Sequence, residues 1–280
     1  MKTVLVTGAT GQQGGAVLRA LQKRGFAVRA LTRDTASPKA AKLKAQGVEV
    51  VAGDLSDRAS LDAAMRGAHG AFSIQTIGKK EGDEQRQGIA VAEAAAAAKV
   101  EHLVYSSVGG AERKSGIPHF ESKFEIEEHI RKLGIPHTIL RPVFFMENLA
   151  TPRMARTIFL GMLYAAMGEK KTLQLIAVDD IGEIGAIAFA EREKYLGKAI
   201  EIAGDELVLS QIQAAYRAKT GKKERALPYP AFMLGVLPFD LRTMIKWFGS
   251  SGYAADLPAV RAIHPGVMTL PQWLAKTPIQ

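Results

Sequence analysis

Through its first half the chain repeats one pattern of apolar and polar positions. A short apolar run meets a turn, and a longer stretch follows with apolar residues three and four apart. The short runs, bounded by Gly, Asp and Pro, predict buried strands over 3–7, 27–31, 48–52, 71–75, 103–106 and 138–141, the last broken by Pro142. The amphipathic stretches between them predict helices over 16–23, 38–46, 61–65, 84–99 and 118–133. Ser56, Asp57 or Ser60 can cap the third of these, and Pro118 and Gly134 mark the two ends of the fifth. The alanine run 94–98 reads as high helix propensity and close packing. The loop 76–83, with Gly78, Lys79, Lys80 and Gly82, reads as polar and mobile.

Beyond residue 150 the pattern loosens. Helices are predicted over 151–167, 178–191 (capped by Asp179 or Asp180), 209–219 and 270–275, and strands over 173–176 and 198–203. Residues 226–253 crowd proline, glycine and aromatic side chains and receive no element. Strands alternating with helices predict an α/β fold, a doubly wound parallel sheet with a small C-terminal lobe. The expected division is 1–150 for the nucleotide-binding domain and 151–280 for the lobe, whose strands add to one sheet edge and cover the cleft.

The chemistry starts at the first turn. Strand 3–7 runs into Gly8, Gly11 and Gly14, and a helix follows. In a strand–turn–helix unit the first glycine ends the strand sharply, the second lets backbone approach a bound group, and the third lets helix and strand pack closely. The helix N-terminus then offers N–H groups and a positive dipole to a phosphate. The spacing is GxxGxxG rather than GxGxxG, yet its place at the head of an alternating chain marks a dinucleotide site. At the end of the second strand stands Arg33, with Lys39 and Lys42 nearby, which favours a 2′-phosphate and so NADP(H) over NAD(H). The adjacent Asp34 could take a ribose hydroxyl instead, leaving NAD(H) as the weaker alternative.

Composition narrows the class. The chain has 280 residues, 47% of them hydrophobic, enough for one large domain or a domain with an appendage. It has no cysteine, which excludes disulfides, thiol nucleophiles and iron–sulfur clusters. No apolar run is long enough to span a bilayer and the first strand starts at residue 3, so a cytoplasmic protein with no leader and no membrane partner is expected. The net charge of +9 is scattered in pairs rather than a stripe, so no nucleic-acid partner is expected. His69, His102, His129, His137 and His264 lack metal-ligand spacing, and no metal is expected. Trp247 and Trp273 read as packing residues of the lobe.

Several pieces together resemble the NmrA-like family, atypical members of the short-chain dehydrogenase/reductase superfamily with a Rossmann fold. They are the turn from Thr7 to Gly14, Thr32-Arg33, Gly53-Asp54, the His119-Phe-Glu-Ser-Lys123 element, Arg141-Pro142 with Glu147-Asn148-Leu149, and Leu270-Pro-Gln-Trp-Leu274. The resemblance implies that Gly8, Thr10, Gly11, Gln12, Gln13 and Gly14 wrap the pyrophosphate and Arg33 meets the 2′-phosphate. Asp54 and Leu55 would flank the adenine. Gln75, Thr76 and Arg86 would lie along the nicotinamide side, Lys123 on the nicotinamide ribose, and Phe145, Met146, Glu147 and Asn148 at the border of the nicotinamide pocket.

Active short-chain dehydrogenases use Ser, Tyr and Lys, the last two as YxxxK. Here Ser106 or Ser107 fills the Ser place, Lys123 the Lys place, and His119 stands for Tyr. Histidine can protonate a carbonyl or quinone oxygen near neutral pH; Lys123 or water could also supply the proton. The resemblance thus implies an NADPH-dependent reductase of a small carbonyl or quinone or, alternatively, a non-catalytic redox sensor acting through a regulatory protein partner.

Overall fold

The computed structural model describes residues 1–75, 80 and 82–279. Thr76 and the rest of the 76–81 stretch apart from Lys80 lie outside the described residues. The alternation becomes β1 (Thr3–Val6), α1 (Gln12–Lys23), β2 (Ala27–Thr32), α2 (Pro38–Ala45), β3 (Glu49–Ala52), α3 (Arg58–Met65), β4 (Gly70–Ser73), α4 (Asp83–Ala97), β5 (His102–Ser106), α5 (Pro118–Leu133) and β6 (His137–Pro142). The C-terminal part adds β7 (Phe144–Phe145), α6 (Arg153–Met167), β8 (Thr172–Ile176), α7 (Val178–Ala190), α8 (Arg192–Tyr195), β9 (Ala199–Ile202), β10 (Asp205–Val208), α9 (Leu209–Thr220), α10 (Phe239–Ser250), α11 (Leu257–Ile263) and α12 (Leu270–Lys276).

Among the described residues, seven strands form one parallel sheet in the order β3-β2-β1-β4-β5-β6-β9. Successive strand residues face opposite sides. Val4 and Val6 therefore join Val17, Leu21, Ile181 and Ile184 in a core under α1 and α7, while Leu5 joins Leu61, Val91, Ala95 and Ile126 in a core under α3, α4 and α5. Within the alanine-rich stretch, Ala94 and Ala95 are buried against neighbours, in accord with the close-packing reading. The direction of winding reverses between β1 and β4, and this switch point is where such sheets bind ligands.

The lobe departs from expectation in its details. β9 joins the main sheet beside β6, but β8 pairs with β7 and with β10 in a separate three-stranded sheet. β10 and the helices α10 and α11 had no sequence assignment. β6 runs through Pro142 instead of breaking at it. A proline loses only its donor, and the Pro142 carbonyl still accepts from Gly109 N at 2.8 Å. Neither Asp179 nor Asp180 caps α7, whose N-cap is Ala177. Asp179 pairs with Arg19 at 2.7 Å, and Asp180 accepts from Met268 N at 2.9 Å. Asp57 is the cap of α3, accepting from Ala59 N. Trp247 and Trp273 pack in one hydrophobic core with Leu160, Tyr216 and Phe248, which Ile117 and Phe120 at the start of α5 also join. Among the described residues no helix is long and apolar enough to cross a membrane.

Candidate functional site

The site grows from the end of β1. Thr7 Oγ1 donates to Ile74 O and accepts from Ile74 N, both at 2.8 Å, which locks β1 to the end of β4. The chain then turns at Gly8, with φ of +61°, a conformation costly for any residue bearing a Cβ. Helix α1 starts at once, four residues earlier than its amphipathic pattern suggests. A Cβ on Gly14 would lie 2.3 Å from Gly8 O and 2.5 Å from Gly8 C, so only glycine allows the helix so near the strand end. The N-cap of α1 is Gly11, which has no side chain to bind the first-turn N–H groups. They are left pointing outward, as an anion site requires.

Beyond the turn lies a cavity of about 410 Å³ at the β1/β4 switch point. Its walls include Gly8, Thr10, Gly11, Gln12, Gln13 and Gly14 on one side and Arg33, Asp54, Leu55 and Gln75 on the other. The structure thus gathers ten of the residues marked from sequence and adds Leu31, Ile74 and Gln87. Arg33 is exposed at the rim and makes no hydrogen bond or ion pair among the described residues. Asp34 also lines the cavity, but its Oδ1 accepts from Ala36 N at 2.8 Å and helps turn the chain into α2. Asp54 Oδ1 similarly accepts from Ser56 N at 2.8 Å. Gln75 is buried, its Nε2 donating to Ser73 Oγ at 2.9 Å, while its Oε1 is buried with no hydrogen-bond partner among the described residues. An unsatisfied buried acceptor beside an uncapped helix N-terminus fits a polar ligand. A dinucleotide cofactor therefore fits this cavity.

Gln13 does more than line the turn. Its buried side chain donates from Nε2 to Ser106 Oγ at 2.5 Å, joining the glycine turn to the end of β5. Ser107 Oγ donates to the fully buried Glu127 at 2.6 Å, and Glu127 is held in turn by Arg141 and Arg131. Both serines of the expected Ser place are thus engaged. Lys123 reaches the same corner from α5. Its Nζ lies 3.1 Å from Glu84 Oε1 and 3.5 Å from Ser106 O, with side-chain exposures of 12% for Lys123 and 7% for Glu84. Tyr105, whose ring is 5.8 Å from Lys123 Nζ, is no proton source: burial pushes its hydroxyl well above the usual phenol range.

One turn before Lys123, His119 contacts Asp240 of α10, with Nδ1 at 2.8 Å from Oδ1 and 3.0 Å from Oδ2. Its ring stands edge-on to Phe120, centroids 4.8 Å apart. Neither Asp240 nor Glu84 was marked from sequence. Asp240 lies 121 residues from His119 in a segment without a legible pattern. Glu84 reads locally as an ordinary acid in the first turn of α4.

Other expectations do not gather here. Arg86 does not line the cavity; it pairs with Asp83 at 2.5 Å, one residue before the lining Gln87. Met146 is fully buried in the core that holds Trp247 and Trp273. Glu147 Oε1 accepts from Val178 N at 3.1 Å and Trp273 Nε1 at 3.0 Å, so it closes the start of α7. Burial pushes the Glu147 carboxyl up. Phe145 is half-buried and Asn148 exposed. Glu147 lines a larger groove of about 1060 Å³ that shares Thr10, Gly11 and Gln12 with the first cavity and runs along α1. Its charged walls are largely paired with each other, Arg19 with Asp179 and Lys23 with Glu183. Glu147 Oε2 is a buried acceptor without a hydrogen-bond partner among the described residues, as Gln75 Oε1 is, but the smaller cavity alone of the two adds the whole glycine turn and Arg33 and is the better ligand site.

Sheet order, glycine turn and cavity define a Rossmann-type α/β protein. The chain belongs to the NmrA-like family, whose model matches residues 1–267. The NmrA-like family domain-containing oxidoreductase himF of Aspergillus japonicus is 31% identical over 268 residues, covering 87% of this chain and 79% of that protein. The NADPH-dependent quinone oxidoreductase QOR2 of Escherichia coli, solved with NADPH, superposes with a TM-score of 0.81 at 25% identity over 98% of this chain and 99% of its own. The negative transcriptional regulator Nmra has the same fold, with a TM-score of 0.80 at 22% identity over 99% and 95% of the two chains.

Proposed function

We propose that this protein binds NADP(H) and reduces a small carbonyl or quinone acceptor. The observation that carries the reading is the convergence, in one cavity, of the uncapped α1 N-terminus with the Gln75 Oε1 and the Arg33 guanidinium, neither of which has a partner among the described residues. The glycine turn would hold the pyrophosphate, Arg33 the 2′-phosphate, Asp54 and Leu55 the adenine, and Lys123 the nicotinamide ribose. NAD(H) would bind more weakly for lack of the phosphate that Arg33 meets. When bound, the reduced nicotinamide supplies a hydride. Lys123, held by Glu84, orients the ribose, and His119 moves a proton from Nε2 to the acceptor oxygen. The likeness to an NmrA-like oxidoreductase and to an NADPH-dependent quinone oxidoreductase supports a reductase.

A second reading has its own observation. Ser106 and Ser107 are both engaged by other side chains and histidine replaces the usual tyrosine, which favours a non-catalytic cofactor sensor; the negative transcriptional regulator Nmra shares the fold. Measuring NADPH affinity and NADPH consumption against a panel of quinones and aldehydes separates the two. Tight binding with turnover of at least one acceptor is expected. Tight binding with none consumed would move the reading to the regulator, and absence of binding would sink both.

A further inference from the structure

We infer that Asp240 is the positioning residue for His119, fixing which ring nitrogen exchanges protons. The inference deepens the reductase reading and rests on it. Both Asp240 carboxylate oxygens lie within hydrogen-bond distance of Nδ1, at 2.8 and 3.0 Å. An ionised carboxylate only accepts, so Nδ1 carries a proton whether the ring is neutral or charged. Nε2 is then the nitrogen that gains and loses the second proton, and it makes no hydrogen bond among the described residues.

The ring is held as well as polarised. His119 stands edge-on to Phe120 at an interplanar angle of 86°. Phe120 in turn meets Trp247 at 5.2 Å. Trp247 and Asp240 both belong to α10, so one helix supplies the carboxylate and buttresses the ring's neighbour. Asp240 also lies in the first turn of α10, where an acid favours the helix dipole. That role would need no partner, whereas here the carboxylate faces an imidazole from another helix. The two working side chains of α5 are each met by an acid from a different element, Lys123 by Glu84 of α4 and His119 by Asp240 of α10.

The proton step balances. The Nε2–H bond breaks, an O–H bond forms on the acceptor, and the ring is left neutral with its remaining proton donated from Nδ1 to Asp240. The hydride supplied by the reduced cofactor completes the two-electron reduction of C=O to CH–OH. Without the carboxylate the imidazolium loses the acceptor that orients it and holds the remaining proton on Nδ1, so Nε2–H is no longer aimed at the acceptor oxygen and the neutral ring left after transfer can carry its proton on either nitrogen.

The test reads the tautomer directly. In the cofactor-free full chain, ¹⁵N NMR of the His119 ring should show the Nδ1–H tautomer in its neutral form. Asp240→Asn, whose amide can donate to Nδ1, should shift the population toward Nε2–H. The same variant should lose at least tenfold in kcat with NADPH affinity unchanged, and Asp240→Glu should recover part of the loss. An Nε2–H tautomer in wild type overturns the inference and needs no variant to fold. Loss of turnover in His119→Ala with unaltered kcat and tautomer in Asp240→Asn overturns it alone. Unaltered turnover in His119→Ala overturns the proton-donor role of His119 and the inference together.

Discussion

Removing the Arg33 guanidinium tests cofactor choice with little risk to the fold. The side chain is exposed and unpaired among the described residues, so its loss should change stability by no more than about 0.5 kcal/mol. The neighbouring acid is no substitute, since Asp34 Oδ1 is occupied by Ala36 N at 2.8 Å. A charge-assisted hydrogen bond to a phosphate contributes about 1.5–3 kcal/mol, and screening at an exposed rim favours the lower half of that range. Arg33→Ala should therefore weaken NADPH by roughly ten- to thirtyfold, since each 1.4 kcal/mol is a factor of about ten. NADH, lacking the 2′-phosphate, should lose little. Calorimetric titration of both proteins with both cofactors reads this, and the NADPH gap should narrow as salt rises. Equal losses for the two cofactors would refute the reasoning, because they would place Arg33 on a group the two share.

Four further outcomes follow from the geometry. Gly14→Ala would put a methyl 2.3 Å from Gly8 O, so α1 must retreat by about 1 Å; we expect roughly 1–3 kcal/mol lost in urea unfolding and weaker NADPH binding, and wild-type values for both would contradict the close approach. Glu224 forms a buried ion pair with Arg156 at 2.7 Å, and Glu224→Ala should cost about 3–5 kcal/mol of stability by stranding that charge, a loss under about 1 kcal/mol counting against it. Glu84→Gln removes the carboxylate facing Lys123 and should weaken NADPH binding, with an unchanged Kd showing that Lys123 needs no such support. Burial pushes the His102 imidazole down from 6.5 to about 3, so its contribution to stability is complete above pH 6.5 and lost as pH falls toward 3, at up to roughly 1.4 kcal/mol per pH unit. His102→Gln should flatten that dependence in urea midpoints, and parallel slopes would refute it.

The main sheet was legible in the sequence because its determinants are local. Val4 and Val6 on one face and Leu5 on the other are apolar since both faces are covered, and Gly8, Gly11 and Gly14 sit where the backbone leaves no room for a choice. The part of the cavity wall that holds Arg33 and Asp54 was legible for the same reason: both follow strand ends that the apolar runs mark. The lobe was not. α10 begins after Pro238 in a stretch whose exposed Phe232, Val236 and Phe239 break any apolar stripe, so its periodicity is lost among surface residues. The partners of Lys123 and His119 were illegible for a deeper reason. Glu84 and Asp240 are ordinary acids in first helical turns, and only the packing of α4 and α10 against α5 gives them a cation and an imidazole to hold.

The same packing links the cofactor cavity to the proposed reaction corner. From the glycine turn, Gln13 Nε2 reaches Ser106 Oγ at 2.5 Å; at the Ser106 carbonyl, Lys123 Nζ stands 3.5 Å away; Lys123 meets Glu84, whose Oε2 accepts from Ser122 Oγ at 2.6 Å. These polar contacts run from α1 to α4, and Glu84 lies just beyond the 76–81 stretch of the chain. A ribose that meets Lys123 meets an ammonium already held by Glu84, and any change in that pairing acts on the start of α4. A reductase would use the pairing to aim the ring, and a sensor would use it to alter the surface that α4 shares with a partner. Gln13→Ala cuts the first contact without touching Lys123 or the Gly14 approach. If the linkage is real, the variant should bind NADPH more weakly and hydrogen exchange at the start of α4 should no longer respond to NADPH; an unchanged response would show that α4 reads the cofactor by another route.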